Sequence, residues 1–543
     1  YHISSGPDAP AVTSTTIAVH PPSLPTERRP ALLGERVGDL PVGDTFGQFG
    51  LNSTAEQIAA VLAWLVVWSA LLVVGLPVAM LLFARLGRWQ DAGWDWARPI
   101  GLLIVGYCVW LPVSAQLWIY DRTALGIGVL LALVLAVCAT LLLGRREMAN
   151  IGGRFVPPET LAAGLRTIGR QVRANGRRIV WCELIGAGAF AAMLVLRALN
   201  PDLWQPYWGG EKPFEFGLLN ALVRSTVLPP YSPFFSDGTI NYYYYGFFLM
   251  SVPLKATGIA PSIGFNLIIP TLYSMFAAGL FALAARIAGR SWVGLAAVVL
   301  VALLGNLAAV FPAGWSEGIR PVLVALAAGV PNFGAALGSW FVGPSRVIPN
   351  TINEFPFWGF LFADLHPHLI AMPFAVLALA LTFELFSNRN PTGSARSITL
   401  LVAALVLGTL AVTNSWDLPT YAGVLLVGMA GAAWRSHGRV GQRLGRVAAA
   451  GVLAVATTGF GLFLFLPFFR SFVSPVGGFG LVTTPTALSD YLLIYGVYLA
   501  CVVPVVLGAA IRLAALPLRR RAVRPLRALG IVAGSPEAAR LPQ

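Results

Sequence analysis

The sequence predicts an all-α polytopic membrane protein with about eleven transmembrane helices and membrane-parallel helices in large outer loops. Three observations carry that prediction. Of the residues, 57% are hydrophobic and 11% charged, with a mean hydropathy of +0.73, a balance typical of chains that live in lipid. Eleven apolar runs approach or exceed the ~20 residues needed to cross a bilayer core as helix: 57–84, 99–118, 123–143, 179–198, 263–286, 291–312, 368–386, 397–413, 419–434, 446–468 and 488–513. Arginine clusters recur at every second gap between runs, and of the 37 Lys and Arg residues 26 fall on one side of the resulting topology. Basic loops stay in the cytoplasm, so the N-terminus is expected outside and the C-terminus inside.

Segment 1–56, rich in Pro, Thr, Ser and Gly, reads as the end of an extracytoplasmic segment whose beginning is missing. Three spans follow within 57–144, a plain membrane group with the character of a scaffold. The stretch 145–178 carries eight arginines, and from Pro157 to Ala174 it has partial helical periodicity, which predicts an amphipathic helix on the inner leaflet. Residues 179–515 form the membrane core, with large outer loops at 199–262 and 313–367, and 516–543 is a basic cytoplasmic tail. Tyr242 to Gly258 is apolar enough to span. A span there would invert every later loop, so it is expected to lie at, or dip into, the outer face.

The net charge of +14 is mostly topology. Arginines beside spans meet anionic lipid headgroups, so membrane lipids are the expected partner and nucleic acid is not. All four cysteines fall inside predicted spans, where a thiol acts as a small apolar side chain and builds neither a disulfide framework nor a zinc site.

The outer loops are too long to be simple reversals, and they hold the candidate chemistry. Glu211 and Glu215, four residues apart at a helix entry, can share a face. A desolvated carboxylate pair can hold one member at the pKa of a general base; the bland alternative pairs Glu211 with Lys212 or Arg224. Asp202 and Asp237 lie in the same loop. Asn241 precedes Tyr242, Tyr243, Tyr244 and Tyr245. On a helix these phenols point all round, so some must face protein or a sugar-sized cavity rather than lipid, beside the ordinary reading as an interfacial aromatic belt. In the second loop Asp364, His366 and His368 project to one side if extended, which suits a divalent cation or a phosphate. A helix starting at Pro367 would spread them. Trp416 and Asp417 occupy a short outer turn that can equally cap two helices.

With Glu211-Lys212-Pro213 and Asn200-Pro201-Asp202 before it, and Phe362-Ala363-Asp364-Leu365-His366-Pro367-His368 and Asn414-Ser415-Trp416-Asp417 after it, the run Tyr242 to Tyr245 resembles the YYY-domain membrane proteins of Chloroflexi and archaea over roughly residues 30–515. The layout is in turn similar to the C-type glycosyltransferase superfamily: a rising span, an outer loop with an early acidic motif and two membrane-parallel helices, and a returning span ending in basic residues. Two departures stand out. Glu211/Glu215 replaces that superfamily's adjacent acidic pair, and Asn241-Tyr242 stands where His-Pro-Pro often opens the second parallel helix.

The resemblance implies an integral protein of the cytoplasmic membrane that transfers a sugar from a polyprenyl-phosphate donor to an acceptor on the outer face. Glu215 or Glu211 would deprotonate or orient the acceptor. Asp237, Asp364, His366 and His368 would meet the donor phosphate, with a proton or divalent cation offsetting the carboxylates, and the tyrosines would line the sugar pocket. The competing expectations are a transporter or lipid flippase, whose polar site belongs near mid-bilayer, and a noncatalytic envelope scaffold.

Overall fold

Continuous apolar sequence with few helix breakers folds in lipid as helix, because only then are the backbone polar groups satisfied within the segment. The computed structural model describes residues 49–83, 93–150, 155–204, 210–235, 238–312, 314, 316–328, 340, 342–348, 350–387, 393–474, 480 and 482–528. Among these residues the chain is nearly all helical. Isolated β-bridges join Phe49 to Ile259 and Tyr231 to Thr239.

The order begins α1 Thr54–Phe83, α2 Trp94–Ser114, α3 Arg122–Asn150, α4 Pro157–Ala174, α5 Gly176–Leu199, α6 Lys212–Arg224, α7 Tyr244–Thr257 and α8 Pro261–Ala288. Next come α9 Ser291–Ala297, running into a π-helical turn Val298–Leu303, then α10 Arg320–Ala328, α11 Pro356–Phe362, α12 Pro367–Ser387 and α13 Gly393–Thr413. The last are α14 Asp417–Trp434, α15 Val440–Leu464, the single turn α16 Leu466–Phe469 and α17 Leu488–Ala528. Prolines at the first helical position open α8 and α12, where the missing N–H costs nothing. Glycines Gly258 (φ 73°) and Gly289 (φ 69°) end α7 and α8 in the left-handed conformation that favours them.

Nine of the described helices are long and apolar enough to cross a membrane: α1, α2, α3, α5, α8, α12, α13, α15 and the first part of α17. The two other expected spans are helices that fall short of that standard. The run expected at 291–312 is continuously helical only over Ser291–Leu303, with a separate 3-10 turn at Leu307–Ala309, and α14 is diluted by Asp417, Pro419 and glycines. Both still reverse the chain. Gly294 packs on Phe281, and the Tyr273 hydroxyl donates to the Ala302 carbonyl at 3.3 Å. α9 and its π turn therefore run antiparallel to α8, back as far as its middle at Tyr273. α14 runs parallel to α12, with Gly428 on Thr382 and Gly431 on Phe386.

α8 is the central helix, buried along nearly its whole length. Beside it lies α7, the segment expected at the membrane face. Its 14 residues are almost all buried, and at 1.5 Å per residue they span about 21 Å, short of a ~30 Å core. The tyrosine run straddles its start, so the four phenols do not ring one helix. Tyr242 and Tyr243 precede α7 and are half-buried, whereas Tyr244 and Tyr245 open it and are buried. The amphipathic α4 packs on the end of α3: Gly144 and Gly164 bring the two backbones together, and Arg170 pairs with Glu147 at 2.9 Å.

Candidate functional site

The starts of α6 and α12 meet at one end of the bundle. Glu211 caps α6 and Lys212 is its first residue, so Glu215 lies one turn in and points inward, with 1% of its side chain exposed. From the other loop, α11 ends at Ala363 in the left-handed conformation (φ 61°), the chain extends through Asp364 and Leu365, and α12 begins at Pro367 directly after His366. That abrupt turn aims the Leu365 amide at Glu215 Oε2, to which it donates a short hydrogen bond across 150 residues of sequence.

His366 is the hub. Its Nδ1 lies 3.0 Å from Glu215 Oε1 and 3.8 Å from Glu211 Oε2, and its Nε2 lies 3.7 Å from Asp364 Oδ2. The contact with Glu215 is close but not aligned as a hydrogen bond, which leaves Glu215 Oε1 buried without one. Glu211 is the accessible carboxylate: its side chain is 60% exposed, against 19% for His366. The Glu211 amide donates to Asp364 Oδ2 at 3.4 Å. This approach requires glycine at position 210 (φ 64°), since a Cβ there would meet Asp364 Oδ2 at 2.5 Å.

Electrostatics follow from this crowding. Burial pushes the Glu215 carboxyl well above its ordinary range, and the Asp364 charge pushes it further. Burial also raises Asp364 to about 6, although Lys212 Nζ stands 3.8 Å away and opposes the shift. Lys212 is lowered in turn by its own burial, against the attraction of Asp364. Its ammonium rests 4.3 Å over the Phe362 ring. His366 is lowered by burial and by His368, whose ring stacks on it at 5.3 Å. The raised glutamate and the lowered histidine thus face each other at 3.0 Å.

Of the two readings of residues 364–368, the helix starting at Pro367 is the one present. Asp364, His366 and His368 do not form one ligand set, because α12 starts between the histidines and His368 Nε2 turns to Glu354 Oε2 at 3.1 Å. Burial alone would raise Glu354, but the His368 contact holds it below the usual carboxylate range. Among the described residues the metal-capable set is Glu211, Glu215 and His366, each offering one atom within 4.8 Å of the others. That spacing fits a divalent cation with oxygen and nitrogen ligands.

The remaining candidates form a surrounding wall or stand apart. Tyr242 packs edge-on against Phe214 on α6 at 5.7 Å. The Tyr243 hydroxyl bonds Ser415 Oγ at 2.8 Å, and Asn241 makes two bonds to the Val473 backbone. Trp416 is exposed and Asp417 half-buried at the start of α14. Asp202 is exposed and accepts from the Trp204 amide, held in a turn that Arg197 ties to Asn266 on α8. Asp237 lies outside the described residues.

Lys212 and Glu354 were overlooked as site members, and one local signal pointed to Lys212. Adjacent residues on a helix do not face each other, so Lys212 is turned away from Glu211, and its ammonium stands instead 3.8 Å from Asp364.

No curated protein and no solved structure matches the chain. A family model described as "Uncharacterized membrane protein (DUF2298)" matches residues 104–540, well over half of the sequence, and agrees with the apolar helices above: the chain is an integral membrane protein and belongs to that family.

Proposed function

We propose that the protein is a glycosyltransferase that moves a sugar from a polyprenyl-phosphate donor to an acceptor hydroxyl at the outer face of the cytoplasmic membrane. The observation that carries the proposal is the convergence of Glu211, Glu215, Asp364 and His366 from two distant loops, with Glu215 buried against His366. Glycosyl transfer from a phosphate leaving group needs the acceptor proton removed as the C–O bond forms. Glu211, the exposed carboxylate, receives and orients the acceptor hydroxyl. The proton passes to Glu211 or His366, and Glu215 fixes the imidazole and buffers its charge. A divalent cation, if bound by Glu211, Glu215 and His366, would add positive charge at the acceptor oxygen.

Transfer is favoured over transport by the location of these groups. They sit at the starts of α6 and α12 rather than midway along spans, where carriers place their sites. The test is transfer from radiolabelled polyprenyl-phosphate sugars in membranes expressing the protein. A positioned base contributes ~10²–10⁴ in rate, so Glu211→Gln and His366→Asn should each remove most of the transfer while the protein remains folded. Undiminished transfer in a Glu211→Gln/Glu215→Gln double variant would reject carboxylate catalysis, and lipid scrambling that persists in it would favour a flippase.

A further inference from the structure

At the end of the bundle away from the carboxylates, four helices enclose a cavity of different chemistry. α13 and α15 meet backbone to backbone toward their C-terminal ends, where a Cβ added at Gly408 or at Gly461 would lie 2.4 Å from a carbonyl oxygen of the other helix. Toward their starts a cavity of about 330 Å³ opens between them, closed by the end of α12 and the end of α14. Its described lining holds two cations, Arg396 from α13 and Arg446 from α15, and no carboxylate. Leu385, Met429 and Leu453 make the deeper wall apolar, and alanines of α14 and α15 keep it wide.

Both arginines are open to a guest. Among the described residues no ion pair engages either of them. Arg396 is half-buried, whereas Arg446 and the lining residue Ala449 are exposed, so the cavity is entered from their side. Arg446 donates from Nη1 to Ser436 Oγ, which steadies the guanidinium and leaves its other N–H groups. The neighbouring cation Arg435 is engaged elsewhere, 4.5 Å over the Phe386 ring. Two like charges on one cavity wall repel each other, and an anion between them reverses that cost. Further along α15, Val452 and Val455 are exposed, an apolar strip leading away from the cations.

Paired guanidinium groups at helix ends, beside an apolar strip, match a lipid phosphate: they stand at headgroup level, on the face that the positive-inside rule predicts to be cytoplasmic. We propose that this cavity binds an anionic phospholipid of the inner leaflet. Arg396 and Arg446 hold the phosphate, whose oxygens suit the planar donor fork of arginine. The alanine-lined wall takes the glycerol, and an acyl chain lies along Val452 and Val455. Binding here does not depend on the transfer reading, since the carboxylates lie at the other end of α12.

The test is binding of phosphatidylglycerol to the full chain in detergent micelles, read as lipid adducts by native mass spectrometry over a titration. Arg396→Gln and Arg446→Gln should each weaken binding about fivefold or more, the effect of one cation on an anionic headgroup. Arg290→Gln, an exposed arginine just beyond α8 and outside the cavity, should leave it unchanged. Ala449→Phe retains both charges but fills the mouth, so it should also weaken binding; this separates a built cavity from diffuse attraction by a basic surface. Arg446 and Ala449 are exposed, which keeps the test valid if Arg396→Gln does not fold. Wild-type affinity in the Arg396→Gln/Arg446→Gln double variant, or equal affinity for phosphatidylcholine, would overturn the proposal. Displacement of the lipid by sn-glycerol 3-phosphate at matching potency would overturn it too, because the site would then belong to a soluble phosphate.

Discussion

Asp364 shows how one buried side chain ties local chemistry to stability. Burial raises its pKa from 3.8 to about 6, so between those values the folded chain holds a proton that the unfolded chain has released. Stability from this group is present at low pH and falls as pH rises through that window, with Glu215 shifted in the same direction. Thermal unfolding of the purified protein should therefore show a midpoint that declines from pH 4 to pH 6, and Asp364→Asn should flatten the decline. An unchanged slope would mean that the carboxylate is more hydrated than its surroundings suggest. Glu211 and Glu215 were legible in the sequence as a pair on one helical face, but their unequal exposure was not. Which of two acids is buried depends on the loop that covers them, and that loop lies about 150 residues away.

Among elements, close approach of backbones decides what packs where. A Cβ at Gly144 would lie 1.8 Å from the Thr160 carbonyl, and one at Gly164 would lie 2.1 Å from that of Thr140. Gly144→Leu should thus cost roughly the 1–3 kcal/mol of an overpacked contact or more and release α4 from α3, read as a lower melting temperature and faster trypsin cleavage at the α4 arginines. Gly126→Leu, with open space around it, should change neither. The spans were legible because long apolar runs carry their own length and ends, and α4 because its arginines share one face. The start of α6 at Lys212 was less visible, since Pro213 and two carboxylates suit a loop as well as a first helical turn. The metal-capable grouping was open in the sequence for a related reason. Spacing relates Asp364, His366 and His368 to one another, but the helix that begins at Pro367 turns His368 aside, and the place in the set is taken by acids from another element.

At the scale of the whole molecule, the ends of α2, α5, α13 and α15 and the starts of α3, α8, α12, α14 and α17 lie on the face that holds the carboxylate site. The positive-inside rule predicts that this face is the outer one. Single cysteines at Ser489 and Thr167, in a chain lacking the four native cysteines, test it: an impermeant thiol reagent should label Ser489→Cys from outside and Thr167→Cys only after permeabilisation, and the reverse would invert the orientation. The short return through α9 and its π turn has an effect on the surrounding lipid. Its 13 residues, at about 1.5 Å each, cover only about 20 Å, some 10 Å less than an average hydrocarbon core. A stretch this short predicts a locally thinner bilayer along that flank of the bundle.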